Sequence, residues 1–451
     1  MKIVKFGGSS LASGNNVEQA LKIILSDKDR QVIVVSAPGK RDDQDIKVTD
    51  LLIKYAKQVL ANKNSNEIVQ EIYSRYQEIA NYFGLENEKV EIIKEILLNL
   101  PKKSYPNSDY LMAAFKAHGE RLNARLIALI LNHQGIKSRF LDPVEAGLIV
   151  TGEPNDALVN PETYINLDQV SIDPDERVIF PGFFGVTPSG NIATFARGGS
   201  DITGAILARG LHADLYENFT DVNGIFAANP NIVDHPQSIK KMTYREMREL
   251  SYAGFSVFHD EALIPAIQGQ IPINVKNTHE PENPGTMIVP EKNFDPDNII
   301  TGVTSQKNFS ALYLHKYLLN KEAGFTLRIL QILDNHNVPY EHMPSGIDDI
   351  TIIFNNEFLN DQLIDQICNE IQAMINPDKL EWINNYAIIM IVGEGMKQTA
   401  GVSRQILDSL GQDQITPRMI NQGASQISIM IGTQKEKADK AVKIIYDQFF
   451  N

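Results

Sequence analysis

Ile3-Val4-Lys5-Phe6-Gly7-Gly8-Ser9-Ser10 lies near the start of a 451-residue chain as a short apolar run closed by two glycines and two serines. The run has the character of a buried strand, and a helical spacing follows it through Val17, Ala20, Leu21 and Ile24. A lysine in a strand, a glycine pair and a helix start are together the parts of a phosphate site. Glycines let backbone N–H groups approach phosphoryl oxygens, the helix N-terminus adds partial positive charge, and the lysine adds a full one. The segment follows neither the Walker P-loop nor the GxGxxG pattern, and taken alone it reads more readily as an ordinary strand-to-helix turn.

Further along the chain, Val32 to Val35 reads as a second strand. Apolar spacing then predicts amphipathic helices over Asp50 to Leu60, Ser65 to Phe83 and Ser108 to Asn132. Strand-like runs return at Ser138 to Leu141, Val178 to Phe180, Asn191 to Phe195, Leu215 to Phe219 and Ile271 to Val275. This alternation predicts an α/β fold, an open sheet with helices on both faces and ligands beyond the strand ends. Pro281-Glu282-Asn283-Pro284-Gly285 and Asp295-Pro296-Asp297 read as a connector, which puts a domain boundary near residue 300.

Beyond that point the chain repeats itself. Gly324, Leu330, Leu333, Gly346 and Ile350 recur as Gly401, Leu407, Leu410, Gly423 and Ile427 at a constant spacing of 77 residues. Each copy contains a strand (Ala311 to Leu314; Ala387 to Val392), a helix beginning at the glycine, a polar strand or loop, and an alternating strand (Ile350 to Phe354; Ile427 to Ile431). A single βαββ unit leaves a sheet face or edge uncovered, so the copies are expected to pack on each other or to dimerise.

Composition narrows the function. At 43% hydrophobic and 22% charged residues the chain can bury real cores, and its length calls for two or three domains. With 56 Asp and Glu against 42 Lys and Arg the formal charge is -14, so binding nucleic acid or anionic lipid is excluded as the main task. The only cysteine, Cys368, has no intrachain partner, and with no export signal or membrane span in the pattern a cytoplasmic location is expected.

Three further stretches carry candidate chemistry. Arg197-Gly198-Gly199-Ser200-Asp201 follows a strand and opens a helix, a place for a carboxylate or phosphate, or equally a turn capped by Ser200 or Asp201. His118-Gly119-Glu120 sits inside the long helix, where glycine costs about 1 kcal/mol relative to alanine, so something needs close approach there. Glu120 could receive an ammonium, against the plainer reading of a solvated carboxylate paired with Arg121 or Arg125; His118 reads as a packed or capping residue. Thr220-Asp221-Val222-Asn223-Gly224-Ile225 is a turn after a strand. No Cys/His set has zinc spacing, and no GxSxG element or cysteine nucleophile motif is present.

Taken together, these motifs with Val34-Val35-Ser36-Ala37, in this order and followed by a duplicated tail, resemble the amino acid kinase family, most closely its aspartate kinase branch. The resemblance covers nearly the whole chain. It implies a kinase domain over 1–298 and two ferredoxin-like α+β (ACT) domains over 299–380 and 381–451. The implied reaction is ATP-dependent phosphorylation of the β-carboxylate of L-aspartate to 4-phospho-L-aspartate, an early step toward lysine, threonine and methionine. The nucleophile is already ionised at neutral pH and needs no general base.

By the same resemblance Lys5, Gly8 and Asp201 are catalytic, Lys5 carrying charge to the phosphoryl group with N–H groups of Gly7, Gly8 and Ser9, and Asp201 orienting Lys5 or the metal. Ser36, Thr49, Glu120, Arg197, Gly199 and Ser200 bind aspartate. Thr220, Asp221, Phe226, Asn231, Ser256 and Val257 border ATP, with Mg²⁺ held largely by ATP oxygens. Many members have arginine at the position of Asn231 and lysine at that of Ser256, so the ATP grip is expected to be built differently or to be weaker. Glu341, His342, Ser345 and Asp348 of the first repeat would hold an effector, lysine or threonine, in a homodimer or homotetramer formed through the ACT domains. The alternatives are a kinase of another small carboxylate, of the glutamate or acetylglutamate type, and a non-catalytic amino-acid sensor.

Overall fold

The computed structural model describes residues 1–196, 198–255, 260–292 and 294–450, with Asp260 and Glu261 described in their backbone only. Two compact units result: 1–225 with 238–247 and 256–294, and 226–237 with 248–255 and 295–451. Two short segments that precede residue 298, 226–237 and 248–255, group with the second unit.

In the first unit, strands β1 to β12 run, in chain order, Lys2–Phe6, Arg30–Val35, Ser138–Phe140, Val150–Glu153, Asp156–Val159, Arg177–Pro181, Phe184–Val186, Ile192–Thr194, Leu215–Thr220, Lys241–Thr243, Ile273–Asn277 and Thr286–Val289. Eight of them make one sheet in the order β10-β12-β11-β9-β1-β2-β6-β3. Its pairs are parallel except β11 with β12. Central parallel strands are covered on both faces, which is why Val32-Ile33-Val34-Val35 is apolar without alternation.

Helices α1 to α10 run Gly14–Leu25, Val48–Leu60, Asn66–Tyr82, Asn87–Asn99, Ser108–His133, Pro143–Ala146, Glu162–Asp168, Gly199–Gly210, Tyr244–Tyr252 and Asp260–Gly269. Val4, Phe6, Ile33, Val35, Ile179 and Phe219 join one core with α1 to α5. Alternation along the strands then sends Lys5 and its neighbours to the opposite face, where α8 packs on β1 and β2.

The glycine pair does not open α1 directly. Ser9–Leu11 forms a short 3-10 turn, and α1 begins only at Gly14, where extended Ser13 caps it by accepting from the Asn16 N–H. Helix α4, the β4-β5 hairpin and the strands β10 and β12 are elements that apolar periodicity did not predict.

In the second unit, β13 to β17 are Gly302–His315, Asp349–Asn355, Lys379–Val392, Met419–Gln422 and Ser428–Gln434, and α11 to α14 are Phe325–Asn335, Asp361–Ile375, Val402–Gln412 and Ala438–Phe450. The glycines that mark the repeat cap α11 and α13 in matching left-handed conformations, with φ of 76° at Gly324 and 86° at Gly401. Both copies share one antiparallel sheet, β14-β13-β15-β17-β16. The expected boundary at 380/381 therefore falls inside β15, because β13 and β15 pair along nearly their whole length and close each other's open edges.

Candidate active site

Three residues far apart in sequence meet on the α8 face of the sheet. Lys5 on β1 sends its ammonium to Asp201 in the first turn of α8, Nζ to Oδ1 at 2.7 Å, and the two side chains are only 10% and 17% exposed. Register places Asn218 of β9 directly beside Lys5. Its amide Nδ2 donates to the same Asp201 Oδ1 at 2.7 Å, and its Oδ1 lies 3.4 Å from Lys5 Nζ.

Above this group lies the glycine loop, with a Cβ added at Gly7 falling 3.6 Å from Lys5 Nζ. The Gly7 N–H is committed to Phe219 O at 3.3 Å, so of the three expected phosphate donors only Gly8 and Ser9 keep N–H groups without a partner among the described residues. Gly39 fixes the loop from the other side: its N–H donates to Gly8 O at 2.8 Å, and a Cβ there would come within 2.6 Å of Gly8 C. That close backbone approach explains glycine at both positions.

The second cluster forms beyond the end of β2. Ser36 Oγ donates to Ser200 Oγ at 2.9 Å, and a Cβ at Gly182 would fall 2.5 Å from Ser200 Oγ. Asn123 Nδ2 holds Ser36 O at 2.7 Å. Glycine inside α5 is explained by contact: a Cβ at Gly119 would meet Ala37 Cβ at 2.8 Å and lie 3.8 Å from Thr49 Oγ1, so Gly119 lets α5, the β2 end and the start of α2 converge.

Glu120 stands at this convergence, 6% exposed. Its Oε1 accepts from the Ala37 N–H at 3.1 Å, while Oε2 is buried without a partner among the described residues. The expected rivals for Glu120 are taken elsewhere: Arg121 is bidentate to Asp142 at 2.6 and 2.8 Å, and Arg125 lies over the Phe140 ring. Burial pushes the Glu120 carboxyl up to about 8, opposed by the Ala37 N–H and by nearby Lys116. Lys116, whose own pKa is lowered by burial, lies over the Phe183 ring. His118 is a packed residue, its Nδ1 bonded to Ala114 O at 2.6 Å; burial and then Arg121 hold it down to about 3, so it stays neutral.

Comparison with known proteins gives these groups a family. The amino acid kinase family model matches residues 1–277, and an ACT domain model matches 389–449. The chain belongs to the amino acid kinase family. Aspartokinase 3 of Bacillus subtilis is 45% identical to this kinase over 100% of the chain and 99% of its own length. The aspartate kinase crystal structure of Clostridium acetobutylicum is 37% identical, with a TM-score of 0.87 over all of both chains. Escherichia coli aspartokinase III, solved with aspartate and ADP, shares the fold at a TM-score of 0.77 and 23% identity.

The other expected site residues of this kinase are distributed as follows. Gly199 opens α8 against Phe183, and Arg197 lies outside the described residues. At the end of β9, Thr220 Oγ1 donates to Asp221 at 3.1 Å, and Thr220 O accepts from the Thr278 N–H at 2.8 Å. Ser10 is tied to Thr278 by hydroxyl to hydroxyl at 2.7 Å, which joins the glycine loop to the end of β11. Phe226 and Asn231 belong to the second compact unit, and Ser256 and Val257 lie outside the described residues.

In the first ACT copy Glu341 accepts from the Tyr252 hydroxyl, and Asp348 Oδ1 accepts from the Leu318 N–H at 2.9 Å. His342 packs edge-on to Tyr252 with Nε2 lacking a partner among the described residues, and Ser345 bridges to Ile350. Two of the four expected effector ligands thus already have partners within the chain.

Asn218, Asn123, Gly39 and Lys116 were not among the sequence candidates. Asn218, Asn123 and Gly39 act by proximity to partners distant in sequence, whereas Lys116 lies one helical turn from Glu120.

Proposed function

We propose that this kinase transfers the γ-phosphoryl group of ATP to the β-carboxylate of L-aspartate through the two clusters around Lys5 and Glu120. The observation that carries the reading is the buried Glu120 Oε2, which has no partner among the described residues, on a carboxylate held by the N–H of Ala37, the residue after Ser36. A carboxylate left so placed calls for a cationic ligand group, and the α-ammonium of an amino acid is one. Arg197, two residues before the start of α8, supplies the complementary charge for the α-carboxylate.

In the reaction a β-carboxylate oxygen forms the new bond to the γ-phosphorus as the bond to the bridging oxygen of ADP breaks. The acceptor enters as an anion, so no proton is removed, which agrees with a site whose histidine is neutral and faces away. Catalysis then rests on alignment and on charge placed where negative charge gathers. Lys5 provides the charge, Asp201 keeps its ammonium beneath the glycine loop, and the Gly8 and Ser9 N–H groups face the phosphoryl oxygens.

Magnesium, when bound with ATP, neutralises phosphate charge. Its oxygen ligands would come largely from the nucleotide phosphates, as is usual for a nucleotide-bound magnesium ion. Thr220 and Asp221 border the nucleotide from the β9 end.

Regulation is assigned to the ACT copies. A lysine or threonine effector sits at Glu341, His342, Ser345 and Asp348, in an oligomer assembled through these copies, and it acts by binding one state of the kinase better than another. Its ammonium has to compete with the Tyr252 hydroxyl for Glu341. A coupled assay of ATP consumption with aspartate, glutamate and acetylglutamate in turn tests the substrate. Aspartate is expected to give turnover well above the other two, and equal rates with all three would refute the assignment.

A further inference from the structure

The structure assigns to Asn218 a positioning role in phosphoryl transfer: its side-chain amide divides the Lys5–Asp201 ion pair and aims the lysine at the transferring group. This rests on the proposed kinase reaction and adds to it a residue that no motif marks. Asn218 is 3% exposed and sits in β9 with Lys5 as its register partner on β1 and Val275 as its partner on β11. The charged groups facing it are therefore Lys5 and, from α8, Asp201, since Val275 carries no charge.

The hydrogen-bond count makes the argument. A lysine ammonium has three N–H donors and no acceptor. One goes to Asp201 Oδ1 at 2.7 Å, and a second points to the Asn218 carbonyl at 3.4 Å. The third has no acceptor among the described residues, and a Cβ built at Gly7 of the glycine loop would lie 3.6 Å from Nζ. Two neighbours thus orient the ammonium while leaving one donor for a phosphoryl oxygen.

Asn218 also acts on the anion. By donating to the same Asp201 Oδ1 at 2.7 Å it takes up part of that oxygen's accepting capacity. A carboxylate with Lys5 as its sole partner would hold the ammonium more tightly and leave less of its charge for the transition state. Apolar residues of similar size would fill the space and do neither.

The test is steady-state kinetics of wild type, Asn218→Asp and Asn218→Ala with ATP and aspartate, together with calorimetric affinity for ADP and thermal melting. Asn218→Asp keeps the shape but removes the donor and adds a second anion beside Lys5. It is expected to lower kcat roughly 100-fold, and Asn218→Ala roughly 10-fold, with KM for both substrates and ADP affinity within about twofold of wild type.

That order is what a positioning role requires. A space-filling role would leave Asn218→Asp close to wild type and impair Asn218→Ala, and this result would overturn the proposal. So would a fall in kcat for Asn218→Asp that merely follows a loss of ADP binding and melting temperature. If wild type itself fails to turn over aspartate, the kinase assignment falls first, whereas active wild type with an equally active Asn218→Asp refutes the role of Asn218 alone.

Discussion

Two buried ionisable groups stand on the first compact unit, and they are finished to different degrees. Lys5 has an anion at 2.7 Å, a second acceptor at 3.4 Å and a cross-strand neighbour that also bonds its partner. Glu120, buried as deeply, has one backbone donor and an oxygen without a partner among the described residues, and its carboxyl is pushed up to about 8. The first is a tool held ready by the protein. On the proposed reading the second is a polar socket whose partner comes with the substrate, because leaving a buried acceptor unpaired costs roughly 1–3 kcal/mol until something pairs it.

The sharpest way to break this contrast is to remove the ready charge. Lys5→Met is expected to lower kcat on the order of 10³-fold with little change in KM for aspartate, since the lost charge acts mainly on the transferring group. Near-normal kcat in single-turnover and steady-state assays would show that Lys5 is not that tool.

Removing the socket has to act on the other axis. Glu120→Ala is expected to lower kcat/KM for aspartate about 100-fold and to leave ADP affinity unchanged by calorimetry. Equal weakening of both ligands would erase the distinction between the two groups.

Gly39→Ala probes the first group through its roof. The added methyl would collide with Gly8 backbone atoms at 2.6 and 2.7 Å, so the glycine loop has to shift relative to Lys5. A loss in kcat of roughly 10-fold is expected, with a melting temperature a few degrees lower. Unchanged kinetics would mean that the loop's position is immaterial.

The protonation of Glu120 gives a smaller, pH-dependent signal. Its pKa in the folded chain, about 8, lies above the ordinary 4.5, so the folded state holds a proton that the unfolded state has released between those values. The associated stability is full below about 4.5 and is lost as pH rises through about 8. The melting temperature of Glu120→Gln relative to that of wild type is therefore expected to rise from pH 5 to pH 9, and a pH-independent difference would refute a raised pKa. For the same reason aspartate binding at pH 7 is expected to release protons, read as a dependence of the calorimetric heat on buffer ionisation enthalpy.

The mildest test asks how far either group responds to the ACT copies. Lysine and threonine titrations of activity are expected to show inhibition that weakens several-fold in a Ser345→Ala, Asp348→Ala double variant. Inhibition undiminished in that variant would move the effector elsewhere.

Much of this was legible in the residues themselves. Strand runs, helix periods and the 77-residue repeat are local or translational patterns, and they survive folding as β1, β2, α5 and the matched glycine caps of α11 and α13. Lys5, Glu120, Ser36, Ser200 and Asp201 could be singled out because each lies in a short motif beside a glycine or a strand end. Hairpin β4-β5 and helix α4 were missed, since short or weakly patterned segments take their structure from what they pack against.

The sequence by itself determined which residue types stand at the strand ends and that the tail is a duplicated unit, because backbone propensity and side-chain period act over a few residues. Only the tertiary structure decided partners. Strand register set Asn218 beside Lys5 across 213 residues of chain, helix packing gave Arg121 to Asp142 instead of Glu120, and pairing of β13 with β15 merged two copies into one sheet. Each of these choices depends on long-range geometry, and it is that geometry which leaves one buried charge satisfied and the other open to a ligand.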